Sequence, residues 1–282
     1  MQANALLSTL PPVIERYELK YVIPYSLVEP ISDYLAPYCA FDHHSIEHAD
    51  GFYPVNSLYF DTPNHRFLKQ RMFGADRRFN MRVRAYGDGE QGPYFAEIKF
   101  KSATSVKKFR ATLQASEWPG FLCQDSHCIC LNGTGSKEDI SRQTFMQLAE
   151  AYAIEPKIFT CYRRRAFFSR IDDYARVTFD INMRYRPQDP LHAADLYSLN
   201  PNHGCINYDT ETIYGDEAQY NNNVVLELKA TIGAVPVWMI ELIRRFELKQ
   251  VGFSKYMNSS LVDHFDNGWR YMGADRMGAC YY

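Results

Sequence analysis

The sequence predicts an α+β fold in which antiparallel β-strands close into a barrel and helices pack on its outside. Three observations lead to this prediction. Most strand-like segments alternate charged and apolar residues, so each strand has one charged and one apolar face. The charged faces are rich in arginine and lysine, although the chain of 282 residues has a net charge of −2. Three other segments have apolar residues at helical spacing and would cover the apolar outer faces of a barrel.

The clearest strand is the segment FNMRVRAY at residues 79–86. Arg82 and Arg84 share one of its faces, whereas Met81 and Val83 share the other. Two cations this close repel each other, so the pair is tolerated only where a polyanion or carboxylates neutralise it. Strands that close into a barrel with their charged faces inward would bring such groups together in a lumen.

The same alternation recurs in VIERYELKYVI, YFAEIKFK, FTCYRRRAFF, ARVTFDI and VVLELKA. The charged faces of these segments include Glu18, Lys20, Glu97, Lys99, Tyr162, Arg164, Arg176, Thr178, Asp180, Glu227 and Lys229. An open antiparallel sheet with one solvated face would show this alternation without any function. The excess of basic residues on these faces, and their shortage of serine, threonine and glutamine, favour the barrel.

The three helical segments have recognisable starting points. One follows Ser26, a second follows Ser141 as its N-cap, and a third begins at Pro236, where a first helical turn tolerates proline. Their apolar residues fall on one side of each helix.

The bulk properties of the chain exclude several classes of protein. The slightly negative charge argues against a nucleic-acid partner. No apolar run approaches the roughly 20 residues that span a bilayer, and the N-terminus does not resemble a signal peptide. The seven cysteines are irregularly spaced, which indicates reduced thiols. The cysteines near residues 123–130 also lack the spacing of a zinc site. We therefore expect one cytoplasmic domain over residues 1–282.

Eight short motifs also occur in a characteristic order: ERYELKYVI, SLYFDTP, FNMRVRAYG, AEIKFK followed by SVKK, CYRRRAF, ARVTFD, VVLELKA and FSKYMNS. In this order they resemble the VTC domain, the polyphosphate polymerase domain of vacuolar transporter chaperone complexes, which belongs to the triphosphate tunnel metalloenzymes. The resemblance covers residues 12–262. It implies an antiparallel tunnel of about eight strands, lined by basic residues and by acidic metal ligands.

The resemblance also implies roles for individual residues. Catalytic roles fall on Lys20, Arg82, Arg84, Lys99, Arg164 and Arg176, and substrate contacts on Lys107, Tyr162, Ser254 and Lys255. Glu227 matches the metal-binding glutamate, with Glu97 and Glu18 as further candidates. The sequence departs from the family at Gly252, where the eukaryotic polymerases have a lysine. We expect this change to remove one substrate or product contact and to affect processive elongation.

The activity implied by the resemblance is transfer of the γ-phosphate of ATP to a growing polyphosphate chain, with Mn²⁺ or Mg²⁺. Hydrolysis of triphosphate or short polyphosphate, and binding of polyphosphate or nucleotide without turnover, are the alternatives. No glycine-rich phosphate loop occurs, so side chains would bind the nucleotide. The sequence lacks the phosphate-sensing domain and membrane helices of the eukaryotic proteins, so coupling to transport would need a separate membrane-protein partner.

Overall fold

The computed structural model describes residues 16–102, 105–123, 136–188, 196–202, 204–207 and 224–264. The strands are β1 (Arg16–Ile23), β2 (Cys39–Phe41), β3 (Tyr53–Asp61), β4 (Arg77–Tyr86), β5 (Tyr94–Ser102), β6 (Ser105–Leu113), β7 (Glu155–Ser169), β8 (Ala175–Pro187), β9 (Ile206–Asn207) and β10 (Val224–Thr231). The α-helices are α1 (Val28–Leu35), α2 (His43–Ile46), α3 (Arg66–Met72), α4 (Lys137–Ala151), α5 (Val237–Arg245) and α6 (Lys255–His264). Short 3₁₀ helices occupy Tyr25–Leu27, Ala115–Glu117 and Gly120–Cys123.

Eight strands follow one hydrogen-bonded order, β1-β10-β8-β7-β3-β4-β5-β6, while β2 pairs with β7 and β9 with β8. The pairs β1–β10, β10–β8, β4–β5 and β5–β6 are antiparallel. This antiparallel sheet, together with the helices, confirms the predicted fold class and the expected number of strands.

The described residues group into two compact units. The first unit lies within Asn56–Phe159 and Pro187–His203, and the second within Glu15–Val55, Thr160–Arg186 and Gly204–Tyr282. Strands β3, β7 and β8 contribute residues to both units. The expectation of a single domain over the whole chain stays a prediction.

In the second unit, the apolar faces of β1, β8 and β10 pack against helices α1 and α5. The buried core includes Tyr21, Val177 and Leu226 from the strands and Ile31 and Leu242 from the helices. These strand residues occupy the apolar positions of the alternating pattern, so the opposite face of the same strands carries the charged residues.

The first and third predicted helices are confirmed. Helix α1 begins two residues after Ser26, and α5 follows directly on Pro236, which is its N-cap. Within the described ranges, no helix is both long enough and apolar enough to cross a lipid bilayer.

In the first unit, β4, β5 and β6 direct their apolar positions into a separate core. Met81, Val83 and Ile98 are buried there together with Phe145 of α4. Phe60 of β3 contacts Phe145 edge-on, with ring centroids 6.4 Å apart. The charged positions of β4 and β5 therefore share the face opposite this core.

The predicted start of the second helix was wrong. Helix α4 begins at Lys137, and its N-cap is Ser136, whose hydroxyl accepts a hydrogen bond from the backbone N–H of Asp139. The Asp139 carboxylate accepts one in return from the Ser136 N–H, which completes a capping box. Ser141 lies inside the helix and donates its hydroxyl hydrogen to the Lys137 carbonyl.

Candidate functional site

A basic cluster lies on the polar face of β4, β5 and β6 in the first unit. We define the Glu97 cluster as Arg82, Arg84, Lys108 and Arg110 around Glu97. The strand register places Arg82 opposite Glu97 and places Glu97 opposite Arg110. Because alternate residues of a strand share a face, Arg84 and Lys108 lie on the same face as these three.

The carboxylate of Glu97 is in contact with three of these cations. Arg82 Nη2 lies 2.6 Å from Glu97 Oε2, and Arg82 Nε donates to the same oxygen at 2.8 Å. Lys108 Nζ and Arg110 Nε lie 2.7 and 3.5 Å from Oε1. Burial would raise the pKa of Glu97, but Arg82, Arg84 and Lys108 hold it well below its usual value. Cations therefore contact both oxygens of Glu97.

The Glu97 cluster gathers four cations around one carboxylate. Several of these cations are also within reach of a solute, because the side chains of Arg82, Lys108 and Arg110 are 23%, 38% and 40% exposed. Arg84 is buried and donates to Ser57 Oγ at 3.3 Å. A partly exposed group of four cations around one carboxylate is suited to bind a polyanion.

Lys108 of this cluster and the neighbouring Tyr86 each have a pKa near 8. Burial raises the pKa of Tyr86, but Arg84 and Arg110 outweigh that effect and lower the pKa to about 8. Burial lowers the pKa of Lys108, and Arg82 and Arg84 lower it further, while Glu97 raises it, and the result is about 8. The charge of the cluster therefore changes in the range just above neutral pH.

The two lysines of the SVKK motif point to opposite faces of β6. Lys108 pairs with Lys99 of β5, whereas Lys107 pairs with Phe100, so Lys107 lies on the face opposite the Glu97 cluster. Lys99 shares the face of the cluster. Lys108 and Arg110 were not among the predicted site residues, although their spacing of two in KKFR was a usable signal.

A second charged group lies on the polar face of β1 and β10 in the second unit. We define the Glu227 cluster as Glu18, Lys20, Glu227 and Lys229. Lys20 Nζ lies 3.7 Å from Glu227 Oε1 and 3.5 Å from Glu18 Oε1, and it donates to the Phe253 carbonyl at 2.8 Å. Lys229 Nζ lies 2.8 Å from Glu227 Oε2.

The carboxyl group of Glu227 is buried and ionised. Burial would raise its pKa, but Lys229, a hydrogen bond with the Glu18 carboxyl group and Lys20 hold it well below the usual value. The Glu227 and Glu18 carboxyl groups are joined by a hydrogen bond, so their negative charge lies at one place. A cation bound there can neutralise this charge.

The third group surrounds Asp180 on β8. We define the Asp180 cluster as Asp180, Arg164, Lys255 and Tyr162. Arg164 donates two hydrogen bonds to the Asp180 oxygens, at 2.6 and 2.8 Å, and Lys255 Nζ donates a third at 2.6 Å. The Tyr162 ring centroid lies 5.3 Å from the Arg164 guanidinium carbon and 4.4 Å from Lys255 Nζ.

Asp180 is almost completely buried. Burial would raise its pKa, but Arg164 and Lys255 hold the pKa well below the usual value. The sequence placed Asp180 on a charged face, yet its role as the partner of two predicted site residues emerges only from the structure.

Two further predicted residues have structural partners in the second unit. Arg176 donates to Asp42 Oδ2 at 3.2 Å, and its side chain stays 25% exposed. Ser254 directly precedes α6, and its Oγ accepts a hydrogen bond from the Met257 N–H at 3.4 Å. This contact is typical of an N-cap, so a substrate contact by Ser254 stays a prediction.

Five cations on the polar face of the second unit contact carboxylates of the same unit. They are Lys20, Arg164, Arg176, Lys229 and Lys255, and their carboxylate partners are Glu18, Asp42, Asp180 and Glu227. These five cations therefore already have an anionic partner among the described residues.

The described residues supply some of the oxygen ligands that a hard divalent cation needs. No cluster of three or more His, Cys, Asp and Glu suited to a metal ion occurs among the described residues. Glu18 and Glu227 nevertheless bring two carboxyl groups together. Thr178 lies opposite Glu227 in the register, and its buried hydroxyl oxygen has no hydrogen-bond partner in the described part of the chain. Oxygen donors of this kind suit Mg²⁺ or Mn²⁺ completed by water and phosphate oxygens.

Comparison with known proteins identifies a family. The model of the VTC domain family matches residues 15–263. No curated protein matches this sequence. The matched segment contains every residue of the Glu97, Glu227 and Asp180 clusters.

Several solved structures are similar at low sequence identity. A candidate adenylate cyclase from Bacillus halodurans is 12% identical, with a TM-score of 0.45 over 86% of this chain and 95% of that chain. A candidate adenylyl cyclase from Hippeastrum, HpAC1, described as having a dominant triphosphatase activity, is also 12% identical, with a TM-score of 0.42 over 88% and 96%. A candidate adenylate cyclase from Vibrio parahaemolyticus is 11% identical, with a TM-score of 0.43 over 88% and 99%.

Proposed function

The chain belongs to the VTC domain family, and we propose that it is an ATP-dependent polyphosphate polymerase, which transfers the γ-phosphate of ATP to a growing polyphosphate chain. Family membership supports an activity that involves polyphosphate or triphosphate, and it suggests phosphotransfer as the reaction. The proposal goes further in naming ATP as the donor and a phosphate chain as the acceptor.

The observation that carries this proposal is the concentration of cations in the Glu97 cluster. A triphosphate carries about four negative charges and matches four cations gathered around one carboxylate. Arginine binds phosphate with two parallel hydrogen bonds, and Arg82 and Arg84 supply two such groups on one strand face. A merely solvated face would not bury Arg84 and Glu97, which are 6% and 2% exposed.

In the proposed reaction, a terminal phosphate oxygen of the polyphosphate attacks the γ-phosphorus of ATP. A new P–O bond forms, the bond between the γ-phosphorus and the bridging oxygen breaks, and ADP leaves. Negative charge spreads over the equatorial oxygens in the transition state, so catalysis needs positioning and positive charge more than a covalent nucleophile.

The side chains of the Glu97 cluster have distinct parts in this reaction. Glu97 contacts Arg82 through two nitrogens of the guanidinium, and this fixes the direction in which the remaining N–H groups point. Arg84 is held by burial, and Lys108 adds a compact charge at the exposed side of the cluster.

Family membership implies dependence on a divalent metal ion, and we assign Mn²⁺ or Mg²⁺ to Glu227 and Glu18. Lys20 and Lys229 keep the Glu227 carboxyl group ionised, which is the form that binds a cation. When bound, the ion would neutralise phosphate oxygens and make the phosphorus more electrophilic.

The test is incubation of the purified protein with ATP and Mn²⁺, followed by gel electrophoresis for long-chain polyphosphate. We expect long chains together with one ADP per phosphate added. Release of inorganic phosphate without chains would identify a hydrolase, and tripolyphosphate binding without turnover would identify a binding module. Either result would overturn the polymerase proposal.

A matched pair of variants connects the activity to the cluster. Arg82→Gln removes a cation from the Glu97 cluster, whereas Arg77→Gln removes an exposed arginine from the opposite face of the same strand. We expect chain synthesis to fall at least 100-fold in R82Q and to stay near the wild-type rate in R77Q.

A further inference from the structure

Two cysteine thiols lie next to each other in the second unit. Cys161 on β7 and Cys205, directly before β9, have their sulfur atoms 3.9 Å apart, although the residues are 44 positions apart in the sequence. Cys161 is buried and Cys205 is partly exposed. Cys39, by contrast, is buried on β2, where the neighbouring charged groups are Asp172 and Arg170.

We propose that Cys161 and Cys205 form an oxidation site, at which a low-molecular-weight disulfide of the glutathione type converts the two thiols into a protein disulfide. The separation of the sulfur atoms exceeds a disulfide bond by about 2 Å, so a small movement of the side chains brings them together. This proposal rests on the thiol pair alone and does not depend on the phosphate chemistry proposed above.

The surroundings of the pair give its two sulfurs different roles. The Cys161 thiol donates its hydrogen to the Cys205 sulfur. That hydrogen bond, followed by burial, raises the pKa of Cys161, while the guanidinium of Arg184 lowers it. A thiolate at Cys205 is stabilised by the donated hydrogen and belongs to the more exposed of the two residues, so Cys205 is the sulfur that attacks the oxidant.

The reaction balances in two exchange steps. The Cys205 thiolate attacks one sulfur of the small disulfide, forms a mixed disulfide and releases one small thiolate. Cys161 then loses its proton to the released thiolate or to water, attacks the Cys205 sulfur and displaces the second small thiol. The protein loses two electrons and two protons, and the oxidant becomes two thiols.

A disulfide between Cys161 and Cys205 would add a covalent attachment to the backbone pairing that fixes β9. Strand β9 has two residues and pairs with β8 through Arg184–Asn207 and Tyr185–Ile206. The disulfide would add a covalent link to β7, immediately before Tyr162 of the Asp180 cluster. A cross-link across 44 positions also restricts the unfolded chain, so the oxidised protein should be more stable.

Peptide mapping tests the site directly. The full chain is treated with oxidised glutathione, its remaining thiols are alkylated, and it is cleaved with trypsin. Cys161 and Cys205 are the sole cysteines of the tryptic peptides 158–163 and 185–229. We expect these two peptides to be recovered as one disulfide-linked species that dithiothreitol separates, with two thiols lost per chain.

Three variants serve as controls. Cys39→Ser should still form the linked peptide. Cys161→Ser should stop at a glutathione adduct on Cys205, and Cys205→Ser should resist oxidation at both positions. No linked peptide in the wild type, or an adduct on Cys161 in place of Cys205, would overturn the proposal.

Thermal unfolding gives a second readout. Oxidation should raise the midpoint of the wild-type protein by about 5–10 °C and leave that of C161S unchanged. Equal midpoints of the oxidised and reduced wild type, with the disulfide confirmed by mapping, would refute the anchoring of β9.

Discussion

Replacing Lys108 with Met tests whether the Glu97 cluster binds phosphate. The substitution removes the ammonium group that lies 2.7 Å from Glu97 Oε1 and keeps most of the apolar stem. Glu97 would retain Arg82 at 2.6 Å, so no buried charge is left alone. A partly exposed ion pair contributes about 0–1 kcal/mol, so we expect the free energy of unfolding to change by less than about 1 kcal/mol.

The loss in ligand binding should be larger than the loss in stability. A hydrogen bond to a charged group contributes about 1.5–3 kcal/mol, which corresponds to a 10- to 150-fold weaker Kd for tripolyphosphate. Isothermal titration calorimetry at pH 7 measures this change. A change of less than twofold in K108M would remove Lys108 from the binding site.

Lys107→Met is the matched control for this experiment. Lys107 is the adjacent lysine of β6 on the opposite face of the strand. The structure therefore predicts an almost unchanged Kd in K107M, whereas the family resemblance assigns the substrate contact to Lys107. Loss of binding in K107M alone would refute the argument from strand register.

The pH dependence of binding follows from the lowered pKa of Lys108. Because this amine loses its proton near pH 8, affinity for tripolyphosphate should fall between pH 7 and pH 9, and the fall should be smaller in K108M. The folded protein loses this proton at lower pH than the unfolded chain does, where the ordinary value is 10.5. The contribution of Lys108 to stability therefore becomes more favourable as pH rises between these two values.

Three other substitutions have equally specific outcomes. Asp180→Asn should lower the free energy of unfolding by about 3–5 kcal/mol in a urea titration, because Arg164 and Lys255 would be buried without their anion. Since the folded pKa of Asp180 is lowered, its stabilisation is present at neutral pH and is lost as pH falls below the ordinary value of 3.8 and through the folded value. Tyr86→Phe should abolish a tyrosine ionisation near pH 8 in the ultraviolet absorbance. Glu227→Gln should lower Mn²⁺-dependent turnover about 100-fold and weaken Mn²⁺ binding in calorimetry, while the circular dichroism spectrum stays unchanged.

The outcomes that would contradict these predictions are also definite. Asp173→Asn, in the exposed loop before β8, is the control for D180N, and equal losses in both would show that the buried anion has no special role. A tyrosine that still ionises near pH 8 in Y86F would assign that titration elsewhere. Unchanged Mn²⁺ affinity in E227Q would place the metal at other residues.

The sequence by itself determined which face of each strand a residue occupies. Alternation with a period of two is a local property of extended backbone, so Arg82 and Arg84 could be placed opposite Met81 and Val83 before any tertiary structure was known. The antiparallel fold class follows from the same alternation. The helices after Ser26 and at Pro236 were predictable from another local pattern, the spacing of their apolar residues. The start of α4 was also encoded locally, because Ser136 and Asp139 have the spacing of a capping box and Ser141 has no acidic residue three positions later.

The tertiary structure alone decided which charged residues are neighbours. Two strands of known alternation can pair in many registers, and the register depends on turns and on packing between segments that are distant in sequence. The pairing of β5 with β6 therefore brought Glu97 to Lys108 and Arg110 and placed Lys107 on the other face. The contacts of Asp180 with Lys255, 75 positions away, and of Cys161 with Cys205 have the same origin, because no local pattern encodes a distance between segments that meet only when the chain folds.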